Sequence, residues 1–110
     1  MDFNNVYTSN EMPTKIVKRH NRMTTFYIPY DVQYIDDVYH FKYASLLPDN
    51  YTYGGLIDAI IRIKYTSKDM EAIINNYLID GDSDKYKSEF LEMQEWRKFA
   101  KKEARKHFNL

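Results

Sequence analysis

The spacing of apolar and polar positions changes near the middle of the chain. Before Pro48, apolar residues often alternate with polar ones, which is typical of strands with one buried face. After Pro48, they recur every three or four residues, which is typical of amphipathic helices. The pattern predicts an α+β domain in which a three-stranded antiparallel N-terminal sheet packs against three C-terminal helices.

The first part of the chain predicts an arm followed by a hairpin. Residues 1–12 show no periodicity, so we expect a flexible N-terminal arm, with the folded domain over residues 13–110. The segment KIVKRHNRMTTFYI (15–28) predicts two strands joined by a tight turn. Asn21 tolerates the positive φ that a two-residue turn requires, whereas Arg22 in place of glycine leaves the turn type open.

A third strand is predicted after a polar stretch that follows Pro29. The segment VYHFKYASLL (38–47) places Tyr39, Phe41 and Tyr43 at alternate positions. Three strands with one apolar side need cover from other elements. We therefore expect the helices to pack on this aromatic side of the sheet.

Three helices are predicted in the second half. The first follows a glycine pair and is apolar on nearly every side, so we expect it to be central. The second begins at Thr66 or Ser67, and the third begins near Ser83 and extends to Phe108. The stripe residues are Leu56, Ala59, Ile60 and Ile63 in the first helix and Met70, Ile73, Ile74, Tyr77 and Leu78 in the second.

Composition narrows the class of protein. A chain of 110 residues is long enough for one domain with one modest core. Cysteine is absent, which excludes disulfides, thiolate nucleophiles and cysteine-based zinc sites and fits a reducing compartment. No apolar run is long enough to span a bilayer, and the first residues lack the basic and apolar regions of a signal peptide, so we expect a cytoplasmic protein.

Charge is unevenly distributed although the net charge is zero. Residues 97–110 contain six Lys or Arg and one Glu, whereas residues 1–96 contain ten basic and fifteen acidic residues. One explanation is contact with nucleic acid or an acidic partner. The other is a last helix whose basic end complements its own dipole.

The glycine pair is the first candidate site. Gly54 and Gly55 lack the spacing of a phosphate loop or of a dinucleotide-binding turn. A helix start can still bind an anion through its free N–H groups, with Tyr51 and Tyr53 as further contacts. The alternative is a capped helix start, with Thr52 as one candidate cap.

Metal sites have little support in the sequence. Asp80, Asp82 and Asp84 match the first positions of a calcium loop, but Lys85 and Leu91 occupy positions that require Gly and Glu. No metal or other cofactor is predicted. The three histidines, His20, His40 and His107, form no pair with metal-binding spacing.

Trp96 is the second candidate site. A tryptophan is frequent both in protein cores and at the centre of interfaces. If Trp96 is exposed, we expect it to form an aromatic and basic surface with Arg97, Lys101 and Arg105 that suits nucleic acid or an acidic protein. If it is buried, it seals the last helix against the sheet.

The segments YGGLIDAIIRIKYTSKDMEAIINNYL (53–78) and EFLEMQEWRKFAKKEARK (89–106) resemble small proteins encoded by gut Bacteroides species and their prophages or other mobile elements. The segment VKRHNRMTTFYIP (17–29) is similar too. A shorter stretch, IRIKYTSKDMEAI (61–73), resembles the helical ends of phage tail-fibre assembly proteins. The resemblance implies a phage-derived context and no particular chemistry.

No catalytic motif is present, so we expect a non-enzymatic protein–protein interaction module, an accessory or virion-associated protein of a phage-derived element. The alternative is a small nucleic-acid-binding protein that uses the basic C-terminal helix. A small-molecule site near Tyr51, Tyr53 and Gly54 is a third hypothesis. The edges of a small sheet also leave homodimerisation open.

Overall fold

The computed structural model describes residues 5–110, which form an antiparallel sheet followed by three helices. The α+β class and the antiparallel sheet are confirmed. The prediction of three strands is wrong, because the described residues form four strands in the order β1-β4-β3-β2. The elements are β1 (Tyr7–Ser9), β2 (Ile16–His20), β3 (Met23–Ile35), β4 (Val38–Leu46), α1 (Tyr53–Lys64), α2 (Ser67–Ile79) and α3 (Asp84–Phe108), with a short 3-10 turn at Pro48–Asn50.

The additional strand lies inside the segment that we expected to be a flexible arm. In β1, Tyr7 pairs with Phe41 of β4, and the two rings are 6.3 Å apart. A strand of three residues is too short to show a readable period, which is why the pattern did not reveal it. The first four residues of the predicted arm lie outside the described part of the chain.

Both hairpins use two-residue turns with left-handed backbone. Asn21 and Arg22 have φ values of 48° and 66°, so the predicted turn is confirmed and both central residues adopt positive φ. Asp36 and Asp37 form the second turn with φ values of 52° and 64°. These turns set the register of β2 with β3 and of β3 with β4.

Strand β3 does not end at Pro29, so the predicted polar connection is wrong. The pairing with β2 reaches only Tyr27, and Pro29 therefore lies on an edge where its missing N–H is tolerated. The strand continues to Ile35 through a bulge between Tyr30 and Gln33. Asp31 lies in this bulge with a φ of 53°, which polar side chains tolerate better than most.

The two faces of the sheet differ from the prediction. Ile28 pairs with Ala44, and both belong to the core beneath the helices. Because strand residues alternate between faces, Phe41 and Tyr43 lie on the opposite face, where their rings contact each other and Tyr7. The expectation that helices cover the aromatic side is wrong, because β4 is buried on both faces and the helices contact the face of Ala44.

Helices α1 and α3 close the core over the sheet. Leu56, Ile60 and Ile61 of α1 are buried, which agrees with the expected central position of this helix. Ala100 and Ala104 of α3 are completely buried, and their small size allows α3 to approach closely. In contrast, α2 packs mainly on α3 and has no buried residue.

Candidate interaction surfaces

The glycine pair forms the start of α1 and is shaped by packing. A Cβ at Gly55 would collide with the carbonyl oxygen of Asn50, so only glycine fits there. The N–H of Gly55 donates to Thr52 Oγ1 at 3.0 Å, and the N–H of Thr52 donates to the Asn50 carbonyl at 2.8 Å. Two of the N–H groups that an anion would need therefore already have partners within the chain.

Tyr51 connects distant parts of the chain. A hydrogen bond of 2.7 Å joins its hydroxyl to Nε2 of His107 near the end of α3. The Lys15 ammonium lies 4.6 Å from the ring centres of both Tyr51 and Phe26. Burial, and then the charge of Lys15, lower the pKa of His107. These contacts make Tyr51 a junction between the 3-10 turn, the base of the β2–β3 hairpin and α3.

The structure does not gather the four predicted residues of this region into one pocket. Tyr51 and Tyr53 are half-buried against the core. Gly54 is exposed, and Gly55 alone among the four lines an open cleft of about 530 Å³ between α1 and the ends of β3 and β4. The tyrosines therefore support the fold, and they do not frame a ligand at the helix start.

Trp96 is half-buried at the contact between α1 and α3. Its Nε1 donates to the carbonyl oxygen of Ile60 at 3.1 Å, and its ring centre is 5.1 Å from that of Phe99. The Lys64 ammonium lies 5.3 Å from the centre of the Trp96 ring. Trp96 therefore holds the two core helices together with one edge open to solvent.

The residues grouped with Trp96 in the sequence lie on separate surfaces. Arg97 lines a cleft between the three helices together with Asp58, Arg62 and Glu71. Lys101 and Arg105 line a different, shallow depression near the end of α3. Trp96 borders neither of these sites, so the structure brings together only Lys101 and Arg105 from that predicted set.

A stripe of five basic residues covers the exposed side of α3 near its end. Three of them have no acidic partner within 4 Å among residues 5–110, while Lys98 pairs with Glu95 at 3.4 Å and Lys106 with Glu103 at 4.0 Å. All five line one shallow depression near the end of the helix, whereas Arg97 lines the cleft between the three helices. We call Lys98, Lys101, Lys102, Arg105 and Lys106 the basic stripe.

An exposed apolar corner lies at the end of α2, and sequence reasoning missed it. Leu78 and Ile79 are 74% and 83% exposed. Leu78 belongs to the predicted stripe, but α2 packs mainly on α3, and this end of the stripe stays uncovered. Acidic residues follow at once along the chain. We call Leu78 and Ile79 together with Asp80, Asp82 and Asp84 the acidic-apolar tip.

The described residues show neither a metal cluster nor a helix that could span a membrane. Within residues 5–110, no three His, Asp or Glu side chains converge closely enough to hold an ion. Asp80 ends α2 and Asp84 begins α3, so two of the calcium-like positions belong to helix ends. None of the helices described is long and apolar enough to cross a membrane.

The chain was also compared with known proteins. Comparisons with family models, with curated proteins and with solved structures found no match.

Proposed function

We propose that the protein is a non-enzymatic protein–protein interaction module that binds its partner through the acidic-apolar tip. The observation that supports this proposal is the exposure of Leu78 and Ile79, at 74% and 83%, on a helix that buries none of its own residues. Adjacent, strongly exposed aliphatic residues of this kind mark a binding surface more often than isolated ones.

The tip is attached firmly enough to present these side chains. Tyr77 stacks on Phe90 of α3 with ring centres 4.2 Å apart and an interplanar angle of 6°. A capping box joins Thr66 and Asp69 at the opposite end of α2. A partner therefore meets an ordered helix end and does not have to fold it, which lowers the entropic cost of binding.

The energy available at the tip is appropriate for a partner contact. Complete burial of one Leu or Ile side chain contributes about 1.5–3 kcal/mol. Leu78 and Ile79 are largely exposed in the free protein, so most of this free energy is still to be gained when a partner buries them. Their burial by a partner would supply the apolar centre of an interface.

The charges around the tip define the partner. Asp80, Asp82 and Asp84 follow the apolar pair, and all three are exposed. Complementary charge at the rim of an interface speeds association and selects the partner. The proposed partner is a protein with an apolar surface bordered by Lys or Arg. The resemblance of the helical half to proteins of mobile elements supports an accessory component of a phage-derived element as the biological setting.

The test compares capture by the wild-type protein with capture by two double variants. The tip variant combines Leu78→Ser with Ile79→Ser. The matched control combines Met23→Ser with Leu47→Ser, because these residues are also exposed, at 59% and 45%, but lie in or beside the sheet. Tagged proteins are incubated with nuclease-treated lysate of the producing cells, and captured proteins are quantified by mass spectrometry.

We expect the wild type and the control to capture equal amounts of one specific protein. The tip variant should capture at least about tenfold less of it, which corresponds to a loss of about 1.4 kcal/mol in binding free energy. Equal retention by all three proteins would exclude the tip as the contact surface. Circular dichroism and light scattering of each variant show whether it remains folded and whether the captured partner is a second copy of the chain.

A further inference from the structure

A second basic segment lies on the β2–β3 hairpin, far from α3 in the sequence. Residues 15–22 contain four Lys or Arg and no acid, and residues 98–110 contain five and one acid. The two segments together hold nine basic residues against one acidic residue, a net charge of +8. The rest of the chain holds seven basic and fifteen acidic residues, so the zero net charge hides a strong separation of charge.

The fold places the base of this hairpin beside the end of α3. Lys15 lies over the ring of Tyr51 at 4.6 Å from its centre, and Tyr51 is hydrogen-bonded to His107 of α3. Lys15 is also close enough to His107 to contribute to lowering its pKa. Lys106, at one end of the stripe, lines a cleft with Met12 and Pro13, the residues just before the hairpin. The base of the hairpin therefore adjoins the end of the stripe.

The hairpin projects beyond the body of the sheet. The pairing of β3 with β4 ends at Phe26 with Leu46, so the residues of β3 before Phe26 pair only with β2. Residues 17–22 are all exposed. Because strand residues alternate, Arg19 shares the helix side of the sheet with Lys15. Lys18 and Arg22 extend the basic surface to the other face and to the turn.

The helix dipole does not explain this arrangement. The stabilising effect of a helix end on cations is limited to the last turn, whereas Lys98 and Lys101 lie before the last turn of α3. A β-hairpin has almost no net dipole, so a dipole cannot account for the four cations of the β2–β3 hairpin. Both segments therefore concentrate positive charge for a reason other than the stability of α3.

We infer that the basic stripe and the β2–β3 hairpin form a two-part surface that binds the phosphate backbone of nucleic acid. A cationic helix and a two-stranded ribbon both fit the grooves of a duplex. The stripe spans eight residue steps, or about 12 Å of helix, which is long enough to meet several successive phosphates. Most of the cations are lysines that act as point charges, so binding is expected to depend little on base sequence.

The experiment measures the binding of a short fluorescent DNA duplex by anisotropy at several salt concentrations, with an RNA duplex and a single strand as further probes. The stripe variant is Lys98→Gln, Lys101→Gln and Lys102→Gln, and the hairpin variant is Lys18→Gln, Arg19→Gln and Arg22→Gln. The control is Lys68→Gln, Lys85→Gln and Lys87→Gln, which removes the same charge from exposed positions at other helix starts. Circular dichroism confirms that each variant is folded.

We expect wild-type dissociation constants of about 10⁻⁶–10⁻⁴ M near physiological salt. The slope of log affinity against log salt should become shallower by about 2–3 in each of the two test variants, because each lost phosphate contact removes about 0.9. Affinity should fall at least about tenfold in both variants and less than about threefold in the control.

Three outcomes would overturn the inference. The first is an equal loss in the control, which would show a general effect of net charge. The second is a loss in only one of the two test variants, which would exclude a joint surface. The third is competition by polyglutamate as strong as that by DNA, which would assign the surface to acidic proteins. The acidic-apolar tip is unchanged in both test variants, so this result is independent of the proposed protein contact.

Discussion

Tyr51 and His107 lie 56 residues apart in the sequence, and a 2.7 Å hydrogen bond joins their side chains. The bond ties the connection before α1 to the end of α3. The ring of Phe108 lies 5.1 Å from that of Tyr51, and the ring of Phe26 lies at the same distance on an edge-to-face contact. The junction therefore holds the base of the β2–β3 hairpin against the end of α3.

Tyr51→Phe should destabilise the protein by about 1 kcal/mol, because it removes one hydrogen bond and keeps the aromatic ring. Urea denaturation followed by circular dichroism measures the change. Tyr34→Phe is the matched control, since Tyr34 is 60% exposed and its hydroxyl reaches Asp37 only at 3.5 Å. An equal loss of stability in the two variants would contradict a stabilising role for the hydrogen bond between Tyr51 and His107.

Stability should decrease as the pH falls below about 6.5, the ordinary pKa of histidine. Burial and Lys15 lower the pKa of folded His107, so the unfolded chain binds a proton at a higher pH than the folded chain. The stabilising effect of the neutral ring is complete above that pH and is lost as the pH falls toward the folded-state pKa.

Nuclear magnetic resonance titration should show a pKa below 6.5 for His107. His107→Gln should weaken the dependence of the free energy of unfolding on pH in this range. His20→Gln removes an exposed histidine from the β2–β3 turn and should leave that dependence intact. A folded-state pKa at or above 6.5 would refute the proposed cause.

The two glycines should respond oppositely to alanine. Gly55→Ala places a Cβ against the Asn50 carbonyl and should cost about 2 kcal/mol or more. At Gly54, an added Cβ would meet no atom within 4 Å beyond its chain neighbours and the nearby backbone of its own helix, so Gly54→Ala should stabilise the protein by about 0.5–1 kcal/mol. Thermal denaturation of the two variants tests this contrast, and equal effects would contradict the packing role of Gly55.

Trp96→Phe should destabilise the protein by about 1–2 kcal/mol, because it removes the hydrogen bond to Ile60 and part of the contact between α1 and α3. Leu91→Ala, at a position that is 52% exposed on the same helix, should have a smaller effect. Unchanged stability with loss of partner binding would instead make Trp96 an interface residue.

The elements with long, regular patterns were predictable, and the short or irregular ones were not. The period of α1, α2 and α3 and the turn at Asn21 are local properties of the sequence. Strand β1 has three residues, and β3 continues through a bulge at Asp31, so neither leaves a clear pattern. The sequence did not show which face of β4 meets the helices. Both faces of that strand contain buried residues, so the alternation of apolar and polar positions could not distinguish them.

The candidate surfaces required the fold. The four cations of the hairpin are visible in KIVKRHNR, but only the contact of Lys15 with Tyr51 and of Tyr51 with His107 shows that the base of the hairpin adjoins α3. Leu78 has the spacing of a buried residue, and its exposure depends on the cover that α2 lacks. Tertiary packing therefore decides which apolar and charged residues become surfaces.

The central claim is that a protein partner binds at the acidic-apolar tip. Hydrogen–deuterium exchange of the purified complex, compared with the free protein, measures it most directly. We predict that added protection is concentrated in the last turns of α2 and in residues 80–84. Protection confined to the β2–β3 hairpin or to residues 98–106, with no change at the tip, would contradict the account.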